Sequence, residues 1–83
     1  MLYTVYILKS LKDKKFYVGQ TQDLGKRLIR HNRGMVPSTR NRIPLVLVYM
    51  EDFPNRSEAI RREKYFKTLE GGSFIKKHLR GLA

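Results

Sequence analysis

Two charged side chains stand where a small domain would place apolar ones. In the segment Ser57–Leu69 the apolar residues are Ala59, Ile60, Phe66 and Leu69. Glu63 is four residues after Ala59, three after Ile60 and three before Phe66. On a helix it therefore falls on the stripe that faces the body of the protein. A carboxylate there is costly unless it is paired or holds a metal ion. A structural ion pair with an arginine is the plain alternative. Glu58 and Glu70 sit near helix ends, where water reaches them. Arg27 repeats the pattern, three residues after Leu24 and four before His31. An inward guanidinium suits a bidentate grip on a phosphate or on Glu63. It equally suits a side chain that runs along a helix edge with its head in water.

Tyr6 and Tyr17 complete the set. Both lie in runs that read as strands. With a turn centred near Leu11–Lys12 they stand directly opposite each other, and a slip of two residues leaves them diagonal on the same face. Gly19 shares that face, so a phenol stands beside a bare patch of backbone of the kind that marks close approach of another backbone or a ligand. Ordinary sheet tyrosines are the alternative here. The chain has no cysteine, which removes disulfides, thiolate catalysis and Cys-type zinc sites. His31 and His78 alone do not make a His-rich metal site. There is no Ser/His/Asp arrangement and no Gly-rich phosphate loop. What remains is phosphodiester hydrolysis around a single divalent ion. Glu63 would hold the ion, and the ion and Arg27 would offset charge on the phosphate. A phenol would orient or deprotonate the attacking water.

The charge balance agrees with such a substrate. Eighteen Lys and Arg stand against seven Asp and Glu in 83 residues, a net charge of +11. From Leu24 to Met50 there is no acidic residue but there are six basic ones: Lys26, Arg27, Arg30, Arg33, Arg40 and Arg42. A solvated helix usually mixes its signs. A one-sign stretch fits a phosphate backbone that neutralises it. The candidate nucleic-acid contacts are Lys26, Arg30, Arg33, Arg40 and Arg42, with Gly19 as a point of backbone approach. A small basic protein without such a partner is the other reading.

These side chains need elements to hold them. The length allows one domain, residues 1–83, with a thin core that buries only about 60–65% of the unfolded surface. Leu2–Lys9 is apolar on both faces and reads as a central strand. It is too short and lacks the basic flank to be a signal peptide. Phe16–Gln20 is a second strand. Asp23 caps a helix over Leu24–Asn32 that Gly34 stops. Met35–Pro44 reads as a loop, and Leu45–Met50 as a third strand covered on both faces. Ser57 caps a second helix to about Leu69, ended by Gly71-Gly72. Ser73 caps a short last helix to about Leu79. The order β-β-α-β-α-α predicts an α+β domain, a small antiparallel sheet packed with helices. No apolar run approaches the roughly 20 residues of a membrane span, so the expected location is cytoplasmic and no membrane partner is expected.

The ordered set resembles the GIY-YIG nuclease signature. Val5-Tyr6-Ile7 is followed after nine residues by Tyr17-Val18-Gly19. Gln20-Thr21, Arg27 and then Glu63 in SEAIRREKYFK continue it. The segments TVYIL, FYVGQT, RLIRHNRG and SEAIRRE are similar to the small stand-alone bacterial proteins of the UPF0213 kind. The resemblance implies a three-stranded antiparallel sheet flanked by helices. It also implies an endonuclease dependent on Mg²⁺ or Mn²⁺, with DNA, or else RNA, as substrate and no small-molecule cofactor. By position Glu63 matches the metal-binding glutamate and Tyr17 the tyrosine proposed as general base. Tyr6 matches the first-motif tyrosine and Arg27 the arginine that stabilises the phosphate. Gly19 matches the glycine of the second motif, and His31 has counterparts close to the tyrosines in some relatives. Two other functions stay open: a nucleic-acid-binding module that does not cut, and a subunit active only with a protein partner.

Overall fold

The computed structural model describes residues 1–79. Six elements follow one another: β1 (Tyr3–Ser10), β2 (Phe16–Thr21), α1 (Leu24–Asn32), β3 (Leu45–Phe53), α2 (Arg56–Phe66) and α3 (Leu69–Leu79). The order β-β-α-β-α-α is the expected one. The three strands form one antiparallel sheet in the order β2-β1-β3. β1 takes the middle because both of its faces are apolar: Val5, Tyr6, Ile7 and Leu8 are all fully buried.

The faces of β1 meet different neighbours, since successive side chains of a strand point to opposite sides. Val5 and Ile7 pack with Val18, Ala59, Phe66, Ile75 and Leu79, which brings α2 and α3 onto that side. Tyr6 and Leu8 pack with Leu45, flanked by Tyr17, Leu24 and Leu28, which brings α1 onto the other.

The register decides where the tyrosines stand. Tyr6 pairs with Gly19, and Leu8 pairs with Tyr17. Tyr6 and Tyr17 are thus diagonal, the slipped register of the two that the turn allowed, and they share a face. Against β3 the register shifts between Ile7 and Leu8: Ile7 faces Tyr49 while Leu8 faces Leu47, leaving Val48 as the extra residue of a bulge.

Four expectations about these elements are corrected, the last two at the α2–α3 junction. β3 is not covered on both faces. It is an edge strand paired only with β1, and Leu47 and Met50 remain 37% and 43% exposed. The nine-residue α1 covers Leu45 and stops short of the far end. The second helix is capped by Asn55 rather than Ser57; the Asn55 side chain accepts from the Glu58 N–H at 3.0 Å. That helix ends at Phe66, and Gly71-Gly72 lie inside α3 rather than terminating α2.

The cause of the third correction is close packing. A β-carbon on Gly71 would run into the Tyr65 carbonyl and the Phe66 backbone. Glycine here lets α3 start tightly against the end of α2. Thr68, not Ser73, supplies the cap: its Oγ1 accepts from the Gly71 N–H at 3.1 Å. The first helix behaves as expected. Asp23 Oδ1 accepts from the Lys26 N–H at 3.1 Å, and Gly34 follows the helix end with φ +74°. Among the described residues no helix is long and apolar enough to cross a membrane.

Candidate active site

The phenol of Tyr6 is the centre of the α1 face. The middle strand aims it under α1, and two residues one helical turn apart receive it. His31 Nε2 lies 2.9 Å from Tyr6 Oη. Arg27 Nε donates to the same oxygen at 3.3 Å. The spacing of Arg27 and His31, four residues, puts both on the inner side of α1. His31 is completely buried, and its second ring nitrogen, Nδ1, lies 2.7 Å from Thr39 Oγ1.

Tyr17 stands beside this group. Its ring meets the His31 imidazole edge-on at 5.2 Å between centroids and the Tyr6 ring at 6.5 Å. Ser38 Oγ donates to the Tyr17 hydroxyl at 3.5 Å. The Arg27 guanidinium is held by the Tyr6 oxygen and lies close enough to Tyr17 to feel that phenol electrostatically. Tyr17 is only partly buried, whereas Tyr6 and His31 are wholly enclosed.

Gly19 explains how Tyr6 fits. A β-carbon on Gly19 would collide with the Tyr6 hydroxyl and its ring. The bare backbone patch is therefore occupied by Tyr6. Gly19 is buried and is not the open point of nucleic-acid approach expected from the sequence.

Glu63 projects from α2 with its side chain 21% exposed. Its ion-pair partner is Lys67, whose Nζ donates to Oε2 at 2.7 Å. The expected arginine alternative is not what is found: Arg27 spends its Nε on Tyr6. The negative charge of Glu63 is nevertheless felt at the Tyr6 phenol.

Burial sets the protonation of the group. Desolvation pushes the Tyr6 phenol up from its ordinary value, against the pull of the Arg27 hydrogen bond and charge. Desolvation, with the nearby Arg27 charge, pushes His31 down to about 4. The Tyr6 bond holds the Arg27 guanidinium further in its charged form. At neutral pH the site therefore contains a neutral imidazole, a neutral Tyr6 phenol and a cationic guanidinium.

The basic residues divide. Lys26, Arg30, Arg33 and Arg40 are exposed. Lys26 is only loosely paired, its Nζ 4.0 Å from Asp23. Arg42 differs from the expectation: Nε donates to Asp13 Oδ2 at 2.7 Å and Nη2 to the Phe16 carbonyl at 3.4 Å. It clips the loop before β3 to the β1–β2 turn and is not a free phosphate contact.

Three residues that the sequence reading passed over belong to this region. Thr39 and Ser38 lie in the segment read simply as a loop. Asn32 pins the start of β3 with both ends of its amide, accepting from the Leu45 N–H at 2.7 Å and donating to the Leu45 carbonyl at 2.9 Å. No periodicity marks Thr39; only a histidine on the inner face of α1, in need of a second partner, hints at it.

A strand tyrosine lying over a strand glycine, with an arginine and a histidine from the next helix and a glutamate from the helix after β3, defines a class of protein. Residues 2–78 match the GIY-YIG catalytic domain. The chain belongs to that family, whose function is of the nuclease type and whose substrate class is nucleic acid. Within the family it is similar to the UPF0213 proteins. It is 50% identical over 66 residues to one from Clostridium perfringens, covering 78% of this chain and 70% of that protein. It is 45% identical over 65 residues to one from Staphylococcus saprophyticus, covering 77% and 78%. The solution structure of a UPF0213 protein from Bacillus halodurans superposes with a TM-score of 0.58 at 34% identity, over 95% of this chain and 87% of that one.

Proposed function

We propose that the chain is a divalent-metal-dependent endonuclease that hydrolyses DNA phosphodiester bonds. The observation that carries this reading is the position of Arg27. Its Nε is tied to a buried phenol at 3.3 Å. The rest of its guanidinium is left on the side of the partly buried Tyr17.

The roles follow from accessibility. Tyr17 is the phenol that a substrate water can reach, and it acts as the base or orienting group. Arg27 meets the phosphate and offsets its developing charge. Tyr6 and His31 are wholly buried, so they hold Arg27 rather than touch substrate. They are positioning residues.

Among the described residues no cluster of three or more His, Cys, Asp or Glu side chains exists, so a resident metal cage is not built here. Glu63 nonetheless fits a hard cation. It is a single, partly exposed carboxylate already paired with a positive charge, the Lys67 ammonium. Mg²⁺ and Mn²⁺ suit such a site, since Mg²⁺ commonly binds through one or two carboxylates with water and substrate phosphate completing the shell. Such an ion, when bound, supplies charge stabilisation at the phosphate and a more acidic water. Lys67 must then release Glu63.

The exposed Lys26, Arg30, Arg33 and Arg40 supply a phosphate-binding surface without base readout. Binding through them is salt-dependent and indifferent to sequence. RNA and a protein partner are the alternative occupants of the same surface.

The test is cleavage of labelled DNA structures with Mg²⁺ or Mn²⁺ by wild type, Glu63→Ala and Tyr17→Phe. Glu63→Ala is expected to lose about 10²–10³-fold, the scale of removing one group that stabilises transition-state charge, with the fold intact by circular dichroism. Tight binding without cutting, equal in all three proteins, would replace this reading with a binding module; the Glu63–Lys67 pair is the observation that favours that second reading.

A further inference from the structure

We infer that Thr39 is a positioning residue: its side-chain oxygen fixes the His31 imidazole in the Nδ1–H tautomer, so that Nε2 takes the Tyr6 hydroxyl proton and the Tyr6 oxygen is left facing Arg27. The inference rests on the nuclease reading only for its consequence, not for its geometry.

The argument is an accounting of hydrogens. Tyr6 Oη has two neighbours at hydrogen-bonding distance, Arg27 Nε at 3.3 Å and His31 Nε2 at 2.9 Å. A guanidinium N–H donates and never accepts. The phenol keeps its own proton, and its residue is fully buried. Tyr6 and Thr39 are both buried hydroxyls with the imidazole as partner; the phenol is the more acidic of the two and already accepts from Arg27, so it is the one that donates, and of its two neighbours only Nε2 accepts. That nitrogen is therefore bare. The ring is neutral, because burial and the nearby Arg27 charge both disfavour a second proton. A neutral ring carries one N–H, which must then be on Nδ1. Thr39 Oγ1 lies 2.7 Å from Nδ1 and receives it. Thr39 is itself fully buried, so water does not compete for the bond.

Thr39 is well held for the task. The loop folds back on itself around it: the Thr39 N–H bonds the Val36 carbonyl at 3.0 Å, and the Thr39 carbonyl accepts from Arg42 N–H at 2.8 Å. The chain of bonds then runs Thr39 to His31 to Tyr6 to Arg27. Three residues, one each from a loop, a helix and a strand, set the angle of one guanidinium. This is the logic of a base oriented by a third group, with a hydroxyl in place of a carboxylate.

If Thr39 loses its hydroxyl, Nδ1–H is buried without an acceptor. The ring's hydrogen moves to Nε2. Tyr6 Oη then faces two N–H donors, its own proton must turn elsewhere, and the tie to Arg27 loosens. The residues whose titration faces the ring are Arg27, Tyr6 and Tyr17, and none of them offers Nδ1 a substitute.

The experiment compares wild type, Thr39→Val and Thr39→Ser. Valine keeps the shape and removes the hydroxyl; serine keeps the hydroxyl. Long-range ¹⁵N–¹H spectra of the histidine rings at neutral pH read the tautomer directly, with the exposed His78 as internal control. Wild type and Thr39→Ser should show His31 protonated at Nδ1. Thr39→Val should show Nε2–H or a mixture, in a protein whose backbone spectrum is otherwise that of the folded chain. In cleavage assays kcat of Thr39→Val should fall about tenfold, the low end for groups that orient a catalytic side chain, while Thr39→Ser stays within about threefold of wild type. A wild-type His31 protonated at Nε2 overturns the inference. So does a Thr39→Val protein that keeps Nδ1–H. A wild type that fails to cut while its spectra behave as expected upholds Thr39's role and overturns the nuclease reading instead.

Discussion

On one face of the sheet, Val5 and Ile7 meet Val18, Ala59, Phe66, Ile75 and Leu79. On the other, Tyr6 and Leu8 meet Leu45, Leu24 and Leu28, and the tip of Tyr6 meets His31 and Arg27. All four β1 residues are equally buried, yet the two faces are held by different forces. The α2/α3 face is stabilised by apolar area removed from water, which has no preferred direction. The α1 face gives up some of that area for a row of hydrogen bonds, each of which must point the right way. Burying such a row adds little net stability, while breaking it is costly. It earns its place through geometry, by fixing a guanidinium.

The largest separation between the faces should come from two substitutions of buried aromatic rings. Phe66→Ala removes a core ring on the α2/α3 side and is expected to lower stability by about 3–5 kcal/mol. Tyr6→Phe keeps the ring and deletes one oxygen. It leaves His31 Nε2 and Arg27 Nε without their shared partner, a cost of about 1–3 kcal/mol. Cleavage by the folded fraction should reverse the ranking, nearly normal for Phe66→Ala and strongly reduced for Tyr6→Phe. Urea titration and initial rates under folding conditions measure the two quantities. Equal activity losses would mean that the Tyr6 oxygen positions nothing.

The same contrast governs what could be read without coordinates. The strand order, the span of α1 and its Asp23 cap follow from alternation, helical spacing and capping chemistry, all of which are local. Arg27 and Glu63 stood out because a charge on an apolar stripe conflicts with its neighbours. The hairpin register could not be fixed, since both settings place Tyr6 and Tyr17 on one face; the collision a side chain on Gly19 would make with Tyr6 shows why the slipped one fits. The start of α3 was hidden because Gly71-Gly72 looks like a helix end until the backbone of Phe66 is seen pressed against it. Thr39 was hidden most deeply. Its partner is eight residues away on another element, and nothing in the loop's composition separates it from Ser38 or Asn41.

A pH titration separates the faces next. The α2/α3 face has titrating groups at its rim, where Tyr49 and Arg62 hold the Glu51 carboxyl; the other face buries His31, held down to about 4 from an ordinary 6.5. The unfolded chain therefore binds a proton between pH 6.5 and 4 that the folded chain refuses. Stability rises with pH wherever the unfolded state holds more protons. The contribution is full above about pH 6.5, falls as the pH drops toward 4, and is at most about 3 kcal/mol by linkage. His31→Gln should flatten this part of the curve in denaturant unfolding at stepped pH, and an unchanged slope would show that the ring is accessible to protons in the folded state. Asp13 follows at lower pH. The Arg42 hydrogen bond holds it to about 2 from 3.8, so the clip between the hairpin turn and the loop is retained above about pH 4 and lost as the pH falls through 2.

The smallest effect lies among the arginines that follow the buried row. Arg33 and Arg40 are exposed, whereas Arg42 is spent on Asp13 and the Phe16 carbonyl. If binding rests on free cations, Arg40→Ala should weaken DNA binding a few-fold at moderate salt and reduce the slope of log affinity against log salt by about 0.9, one phosphate's worth of released counterion. Arg42→Ala should leave the slope as it is and act on stability instead. Binding isotherms across a salt series distinguish them. A slope lost at Arg42 and kept at Arg40 would mean that the loop clip opens on nucleic acid, and that Asp13 competes with phosphate for the same guanidinium.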